Sequence, residues 1–581
     1  MMKLKKKSKY FILPKPNTDF SIMTKYIPPI PLLCIGITLL LSSCYEDKGN
    51  YDYKELNEIS LISPVEGTRY VVDRYDTLCI EPEFDFSVHR LSDDDMSYKW
   101  EIYLDDWANT ETQAITLGTE KTLKAQITRP ASINDYALML TVTEKSNGAS
   151  YLFKYYVSVL PSVLSGLMVL QDDKGKCRLD YLASIYAEPS FTSNRHIPHV
   201  YAVNNNGNIL EGSPRGVSFS LVTKSSYEPQ VKNLYVWTDK QVARINPSDF
   251  SLEHADEDLF MISPEKIDIT TIDRSSSYSH VTVMINDGQP HVLNQQATMS
   301  YGYQFSRALK ANTSLTGEMR FAPYVYQPDL FSSQTGYTAI LYDEIGKRFV
   351  KIAQGYDVEP VLFAFNEQEE ENKTKYFDVN NIGMDMIWMG KNYGALAYAV
   401  FTDGNKRHLY RMRFNIPNTE TDSNGDEVIN PQVYRQAAAK YDLSEATEGD
   451  DAILFECGHY AANSLLYASS RNIYSYDFGS REGIRINDPF PEEEEITDFC
   501  IYHIEHYTPN LTNVSGTLLY VATWNGKEGK VYEYPINRTT LRMNNREDAN
   551  GNLNAPYNIF GGFGKIVDMC VKPQGRGDTL E

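Results

Sequence analysis

The sequence predicts an all-β protein in which a β-sandwich is followed by a β-propeller of about seven blades. Short segments of alternating apolar and polar residues surround Trp100, and a series of apolar strands ending in Gly, Asn or Asp turns fills the rest of the chain. Long apolar helical periodicity is scarce. Aromatic residues make up 12%, with 42 tyrosines, a content that suits wide, half-buried β-surfaces.

Residues 1–43 have the features of a bacterial lipoprotein signal peptide. The apolar segment from Ile27 to Leu41 contains prolines and is shorter than the ~20 apolar residues of a membrane span, whereas its length suits a signal-peptide h-region. It ends in Leu-Ser-Ser-Cys at residues 41–44, which matches the lipobox pattern. We expect cleavage before Cys44 and lipid attachment to its thiol. Met23 is an alternative start, because it leaves a more compact n-region.

Residues 44–57 are expected to form an acidic, extended tether between the membrane and the first domain. Acidic residues directly after the lipidated cysteine resemble the surface-export signal of Bacteroidota lipoproteins. The expected location is therefore the outer membrane, lipid-anchored and facing the cell exterior. A solvated linker with no sorting role explains the same composition.

Residues 58–161 have the pattern of an immunoglobulin- or PKD-like β-sandwich. Residues 97–103 alternate around Trp100, and residues 136–143 lead through a turn at 146–148 into a second alternating run, 151–159. Short strands at regular spacing around one tryptophan are typical of such sandwiches. Trp100 is expected in the core.

Residues 162–581 are predicted to form the propeller. Eight hairpin-like units recur at roughly 30–70 residues, which brackets the size of one propeller blade. Six or eight blades also fit this spacing, and a string of sandwiches is the alternative fold. The predicted strands are residues 166–170, 200–203, 234–237, 281–285, 338–342, 398–401, 465–468 and 518–521.

Three other segments of this region have weaker signals. Residues 367–375 and 419–427 are polar and charge-rich and are expected to be loops, and residues 436–440 suit a short helical turn.

The charge of the chain excludes one class of partner. The formal net charge is −22, and it becomes −28 for residues 44–581, because the first 43 residues carry seven lysines and one aspartate. No basic stripe is present for nucleic acid, so we expect no nucleic-acid partner.

The cysteines point to no redox or zinc site. Five follow Cys44, none in a CxxC pair. A disulfide fits an exported protein, but buried free thiols are expected. The five are Cys79, Cys177, Cys457, Cys500 and Cys570.

The residue spacing of the candidate metal ligands matches known metal-binding motifs poorly. Asp422, Asn424 and Asp426 resemble the start of a calcium loop, but the later positions lack the Gly and Glu that such loops use, so a hairpin turn is expected. His503 and His506 lie three apart in a strand-like segment and would point to opposite faces. We expect no metal site and no cofactor.

Two more polar motifs are expected to be structural. Pro198 prevents a regular helix through His196 and His199. Residues 492–495 are four consecutive glutamates, which are expected to form a solvated loop.

No catalytic motif is found in the sequence, so no catalytic residue is predicted. Paired carboxylates for glycoside hydrolysis could still assemble in the folded chain. Exposed aromatic residues are the better candidates for ligand contact, and Trp107, Trp388 and Trp524 are the predicted platforms. Each lies in or near a predicted strand, so burial in the core is the competing interpretation.

Five segments together resemble the PKD-like family of Bacteroidota lipoproteins. They are residues 44–53, 97–100, 165–170, 441–448 and 562–569. The resemblance implies an accessory component of SusC/SusD-type uptake loci, in which a TonB-dependent barrel imports oligopeptides or glycans captured at the surface. It implies no residue-level chemistry. The leading hypothesis is a non-enzymatic binding or docking lipoprotein; the alternatives are a glycan- or peptide-cleaving propeller enzyme and a structural assembly factor.

Overall fold

The computed structural model of the chain describes residues 57–104, 114–132, 134–160, 163–189, 191, 193–222, 231–273, 281–294, 302–327, 337–353, 360–365, 370–392, 396–413, 419–421, 423–425, 427–429, 437–504, 513–544 and 554–573. The chain divides into two compact units, Met1–Glu58 with Phe86–Arg90, and Ile59–Asp85 with Leu91–Glu581. In the first unit, the Asn57 side-chain oxygen accepts the backbone N–H groups of Val88 and His89 at 3.0 and 3.2 Å. The predicted signal peptide lies outside the described residues.

The N-terminal strands form the sandwich. A five-stranded sheet has the order β2-β9-β8-β5-β6, and β3 pairs with β7 and β1 with β4. The strands are β1 (Ile59–Ser63), β2 (Arg69–Asp73), β3 (Thr77–Ile80), β4 (Glu83–Phe86), β5 (Met96–Leu104), β6 (Ile115–Gly118), β7 (Leu123–Gln126), β8 (Tyr136–Glu144) and β9 (Ser150–Leu160).

Trp100 anchors the sandwich core, as predicted. Its side chain is fully buried on β5, its indole N–H donates to the Glu120 carbonyl at 3.0 Å, and its ring stacks on Tyr155. The alternation of β5 explains this placement, since every second residue from Met96 to Ile102 points inward.

Eight further sheets follow in the described residues; seven of them are numbered as blades 1 to 7, and the eighth is a two-stranded hairpin inserted in the sequence of blade 5. The strands of the blades are, in blade 1, β10 (Gly166–Asp172), β11 (Cys177–Ala183) and β12 (Arg195–Ile197); in blade 2, β13 (Pro214–Val222), β14 (Val231–Thr238), β15 (Val242–Ile245) and β16 (Leu252–Ala255); in blade 3, β17 (Ile269–Ile272), β18 (Val281–Asn286) and β19 (Gln289–Asn294); in blade 4, β20 (Tyr337–Asp343), β21 (Arg348–Ala353) and β22 (Leu362–Ala364); in blade 5, β23 (Asp385–Lys391), β24 (Leu396–Thr402), β25 (Arg407–Arg413) and β28 (Ala437–Asp442); in blade 6, β29 (Leu454–Glu456), β30 (Ser464–Ala468), β31 (Ile473–Asp477) and β32 (Glu482–Arg485); and in blade 7, β33 (Glu495–Ile501), β34 (Leu518–Trp524), β35 (Gly529–Pro535) and β36 (Asn558–Phe563). The inserted hairpin consists of β26 (Thr419–Thr421) and β27 (Glu427–Ile429), between β25 and β28 in the sequence.

The last strand, β37 (Lys565–Lys572), closes the ring. It pairs with β10 and is therefore the innermost strand of blade 1. It also lies beside β13 of blade 2 and β33 of blade 7. Blades 3 and 4 have irregular fourth strands: residues 306–309 bond to β19, and residues 321–326 bond to β20 as the innermost segment. The architecture is a seven-bladed β-propeller, which confirms the predicted fold class.

Each pair of neighbouring blades shares one hydrophobic core, and seven such cores complete the ring. The second strand of a blade contributes to two of them. On β24, Ala399 and Phe401 face blade 4, whereas Tyr398 and Val400 face blade 6. Such a strand is buried on both faces, which explains its uninterrupted apolar sequence.

Seven of the eight predicted hairpins are confirmed, each as the second and third strands of one blade. The exception is the segment 200–203, which forms helix α1 (Val200–Asn204). Val200 and Tyr201 bury one side of this short helix in the core between blades 1 and 2, while the Asn205 amide donates to the Tyr201 carbonyl and satisfies its C-terminal end.

Three other local predictions are corrected or refined. Part of the loop predicted at 367–375 is helix α2 (Glu370–Lys375), four of whose six residues are Glu or Lys, which favour helix. The described residues of the turn predicted at 436–440 belong to β28, because the open edge of β25 pairs with this strand. The loop predicted at 419–427 contains a hairpin of β26 and β27. In the described parts of the chain, no helix is long and apolar enough to cross a membrane.

A polar junction joins the sandwich to blades 1 and 2. The buried Arg74 guanidinium donates to the carbonyls of Thr128 and Ser248 and to the Asn204 side chain, at 3.0 to 3.2 Å. It also lies over the ring of Tyr75, whose side chain joins the core between the two blades. Charge-assisted bonds of this kind fix the orientation of the sandwich on the propeller.

A buried lysine stands at the end of the closing strand. Lys572 is 3% exposed, and its ammonium group donates to the Leu164 carbonyl at 3.0 Å. Burial, with a smaller effect of the Lys232 charge, lowers the pKa of Lys572 to about 7, against the opposing effect of the Glu188 charge. The folded state therefore releases this proton far more readily than the unfolded chain does.

This lysine predicts a pH-dependent stability. Between about pH 7 and the ordinary lysine pKa, the unfolded chain binds one more proton than the folded chain, so stability rises with pH. Lys572→Met removes that gain, and its stability relative to the parent protein should fall as pH is raised from 7 to 10. Melting temperatures at pH 6, 7, 8.5 and 10 test this. Lys565→Met, exposed at the other end of β37, is the control; equal pH trends in the two variants would contradict the prediction.

Candidate functional site

The innermost strands of the propeller share a β-bulge. In five of the seven blades, the pairing with the second strand shifts near the same end of the blade. A bulge turns nearby side chains away from the regular alternation of the strand. The bulged residues are Arg215, Thr270, Ile387, Thr497 and Val567. The residues that follow them are Gly216, Thr271, Trp388, Asp498 and Asp568.

The innermost strands surround a cavity of about 630 Å³, which we call the channel. Its volume lies within the range of small-molecule sites. Most of the bulged and following residues line it, together with aromatic residues from five blades. The aromatic residues include Phe219 and Trp237 of blade 2, Tyr324 of blade 4, Trp388 of blade 5, and Phe455 and Phe499 of blades 6 and 7.

The three tryptophans predicted as aromatic platforms for a ligand have different places in the structure. Trp388 lines the channel and is half-buried, with its ring tilted against Phe455 at 5.8 Å between centroids. Trp524 is half-buried at the end of β34, and the channel lining among described residues does not include it. Trp107 lies outside the described residues. Only Trp388 is thus placed where a ligand in the channel would meet it.

Two aspartates at the position after the bulge clasp neighbouring blades together. Asp498 accepts the backbone N–H of Met569 at 2.8 Å, and Asp568 accepts that of Val217 at 2.8 Å. Each bond runs from one innermost strand to the next. These carboxylates therefore have a role in the fold, although both line the channel.

Two nearly buried polar atoms on the channel lining have no hydrogen-bond partner among the described residues. They are Nε1 of Trp237 and Oε1 of Gln327, on side chains that are 4% and 3% exposed. One is a donor and the other an acceptor. Buried polar atoms are normally satisfied, so each of these requires an explanation.

A histidine pair lies on the channel lining after the innermost strands of blades 6 and 7. The rings of His459 and His503 are 4.5 Å apart between centroids and tilted by 43°. His503 Nδ1 lies 3.0 Å from the Ser515 hydroxyl. On the sequence alone, His503 and His506 are weighed together as a possible metal pair, and His506 lies outside the described residues. Among the described residues, no group of three or more His, Cys, Asp or Glu side chains could hold a metal ion.

The remaining metal and lipid candidates are placed only in part. Asn424 is exposed in the turn between β26 and β27. Asp422, Asp426 and Cys44 lie outside the described residues, so the weak calcium candidates stay untested and lipidation of Cys44 stays a prediction.

The prediction that all four glutamates at 492–495 are solvated is wrong for one of them. Glu494 is 2% exposed rather than solvated, because Lys530, Tyr532 and Thr523 all donate to its carboxylate. Burial raises the pKa of Glu494, but these hydrogen bonds outweigh it and hold the pKa below its usual value. The four glutamates therefore include one structural carboxylate at the start of β33.

The histidines near Pro198 are structural, as the sequence suggested. His196 Nε2 lies 2.9 Å from the buried Asp180 carboxylate, which also accepts from the Arg178 side chain and the His199 backbone N–H. Burial raises the pKa of Asp180, and these bonds reverse the shift to a lowered pKa.

No cysteine among the described residues forms a disulfide bond. Cys177, Cys500 and Cys570 are buried, as expected, and Cys457 is half-buried on the channel lining. Cys79 is exposed, contrary to expectation, because its position on β3 faces outward while Leu78 and Ile80 face the core.

Comparison with known proteins gives one family match. Residues 44–214 match the PKD-like family. The matched region contains the sandwich and the first three strands of blade 1. No curated protein matches the chain.

Several solved structures are similar. A quinoprotein alcohol dehydrogenase-like protein of Bacteroides thetaiotaomicron is 11% identical, with a TM-score of 0.40, over 86% of this chain and 98% of that one. The extracellular domain of a putative hybrid two-component system from the same organism is 10% identical, with a TM-score of 0.32, over 86% and 79%. The Nup133 β-propeller domain of Vanderwaltozyma polyspora is 10% identical, with a TM-score of 0.30, over 60% and 87%. No catalytic family is indicated, and the fold rests on the sheets described above.

Sequence reasoning missed most of the channel residues, namely Trp237, Gln327, His459, Asp498 and Asp568. One signal was available in the sequence. Residues 496–500 read Ile-Thr-Asp-Phe-Cys and residues 566–570 read Ile-Val-Asp-Met-Cys. This internal repeat marks the two innermost strands whose aspartates form the clasps.

The clasps predict a local cost in stability. Asp498→Ala leaves the Met569 N–H without its acceptor and should lower the free energy of unfolding by ~1–3 kcal/mol. Asp498→Asn keeps an acceptor oxygen and should cost less. Urea unfolding followed by tryptophan fluorescence measures both. Asp488→Ala, at an exposed position, is the control, and a clasp that does not stabilise would give the same small effect as this variant.

Proposed function

We propose that this protein is a surface-anchored, non-enzymatic lipoprotein that holds a nutrient ligand in its propeller channel beside a SusC/SusD-type transporter. The observation that carries the ligand-binding part is the channel. It combines an exposed face of Trp388 with two buried polar atoms that have no partner among the described residues. Aromatic surface with a few directed polar groups is what small-ligand sites require.

Anchorage rests on the sequence around Cys44. The lipobox pattern ends at this residue, and the PKD-like family match begins at the same residue. An acidic tether follows, and the net charge of −28 for residues 44–581 makes direct adhesion to anionic lipid or nucleic acid unfavourable. The lipid is therefore the proposed contact with the outer membrane.

A binding role is favoured over catalysis because of how the channel carboxylates are used. Asp498 and Asp568 each commit one oxygen to a backbone N–H of the next blade. A hydrolytic acid or nucleophile needs a carboxylate that can approach the substrate. An oxygen that holds two blades together is poorly suited to that task.

Cell fractionation tests anchorage and partnership. The parent protein should sediment with the outer membrane, be cleaved by proteinase K on intact cells, and co-purify with a SusC/SusD-like pair after detergent extraction. Cys44→Ala should appear in the soluble fraction, whereas Cys79→Ala should behave like the parent. Anchorage is wrong if Cys44→Ala stays membrane-bound, and the partnership is wrong if no such pair accompanies the protein under any nutrient supply.

Thermal shift tests the channel. Purified residues 45–581 should gain at least ~2 °C in melting temperature with a digest of casein or of plant polysaccharide, because a ligand that binds only the folded state stabilises it. Trp388→Ala should lose the shift, and Trp524→Ala, outside the channel lining, should keep it. A shift that both variants retain would contradict binding in the channel, as would release of reducing ends or new amino termini from either digest.

A further inference from the structure

Blade 2 contributes a buried indole N–H to the channel lining, and it lacks a side chain at the position after its bulge. Gly216 occupies the place that Trp388, Asp498 and Asp568 take in other blades. A Cβ atom on Gly216 would lie 2.1 Å from Cζ2 of the Trp237 indole and 2.6 Å from its Cε2. The glycine therefore admits the edge of Trp237 that carries Nε1.

Gln327 presents the complementary acceptor. Its Nε2 donates to the Val281 carbonyl at 3.1 Å. A carbonyl only accepts, so the amide must turn its NH₂ group toward Val281, and Oε1 is left on the other side. The channel thus offers one fixed donor and one fixed acceptor, and neither is charged.

Trp388, on blade 5 next to the blade that carries Gln327, supplies a rigid apolar surface on the same channel lining. A Cβ atom on Gly390 would lie 2.2 Å from Cζ2 of this indole, so the ring lies flat across its own strand. Phe455 packs against it from blade 6. A preformed aromatic face loses little conformational entropy on binding, which favours a ligand with a flat C–H surface.

An extended peptide fits this wall poorly. Peptides commonly bind such folds by pairing with an open strand edge. The innermost strands of blades 1 and 2 have edge N–H groups that are already used: those of Met569 and Val217 donate to the clasping aspartates, and that of Phe219 donates to Cys570 Sγ at 3.2 Å. At blades 1 and 2, recognition in the channel must therefore come from side chains.

Three charged groups on the wall are engaged within the protein. Arg215, at the bulge of blade 2, pairs with Asp268, and Asp498 and Asp568 form the clasps. Beside them the wall offers an indole N–H and an amide oxygen that have no partner among the described residues, and the aromatic face of Trp388. A sugar hydroxyl can both donate and accept, and a pyranose ring offers a C–H face.

We propose that the channel binds a neutral saccharide, with Trp388 stacking on a sugar ring, Trp237 Nε1 donating to one hydroxyl and Gln327 Oε1 accepting from another. This inference rests on the proposed function and decides between its two nutrient classes. It also explains why two buried polar atoms lack partners in the protein itself.

Calorimetry with defined probes tests the ligand class. The saccharide panel is cello-, malto-, xylo-, manno- and chitohexaose, and the peptide panel is neutral hexapeptides of Ala, Ser and Gly. At least one hexasaccharide should bind. Trp388→Ala should weaken it at least about tenfold, and Trp237→Phe, which keeps the ring and removes the N–H, by about three- to tenfold. Trp524→Ala and Trp524→Phe should stay within about twofold.

Each other outcome has a distinct meaning. Peptide binding that Trp388→Ala abolishes would overturn the saccharide class and leave the proposed function standing. Saccharide binding that neither Trp388→Ala nor Trp237→Phe weakens would overturn this site. Binding by no member of either panel would overturn both the inference and the proposed channel function. Far-UV circular dichroism of every variant separates loss of contact from loss of fold.

Discussion

In each blade the second strand must be buried on both faces, and the propeller depends on this constraint. A four-stranded blade has two apolar faces, and it can cover both only when it lies between two neighbours. Seven shared cores meet this requirement, and the seventh exists only because β37 returns the C-terminal end of the chain to blade 1. One strand therefore completes the burial of two blades, and a buried lysine stands at its end.

The same constraint frees the innermost strands for other work. Their side chains are at the edge of each sheet rather than between two layers, so bulges and polar residues cost less there. The protein uses this freedom unequally around the ring. Blades 7 and 1 place an aspartate after the bulge and link neighbouring blades, whereas blade 5 places Trp388 there and blade 2 places Gly216.

This division explains which features could be predicted from the sequence. Strands buried on both faces appear as uninterrupted apolar runs ending in Gly, Asn or Asp turns, so seven blade hairpins were found. Val200–Asn204 has the same apolar character but five residues cannot distinguish strand from helix. Five of the innermost strands are bulged, which interrupts their alternation, and the three-residue strand 454–456 gives almost no local signal. Sequence therefore predicted the scaffold, and of the channel it predicted only Trp388.

The position after the bulge cannot serve the fold and a ligand equally. An aspartate there uses one oxygen to accept a backbone N–H from the next blade. The edge of the strand that donates this N–H is then closed to added strands at that point. A glycine or tryptophan gives up that bond and turns an indole toward the channel instead. The two clasps lie where the ring closes, between blades 7, 1 and 2. The unpartnered indole N–H, the amide oxygen and the face of Trp388 lie on blades 2, 4 and 5. The clasps and the proposed ligand contacts therefore share only blade 2.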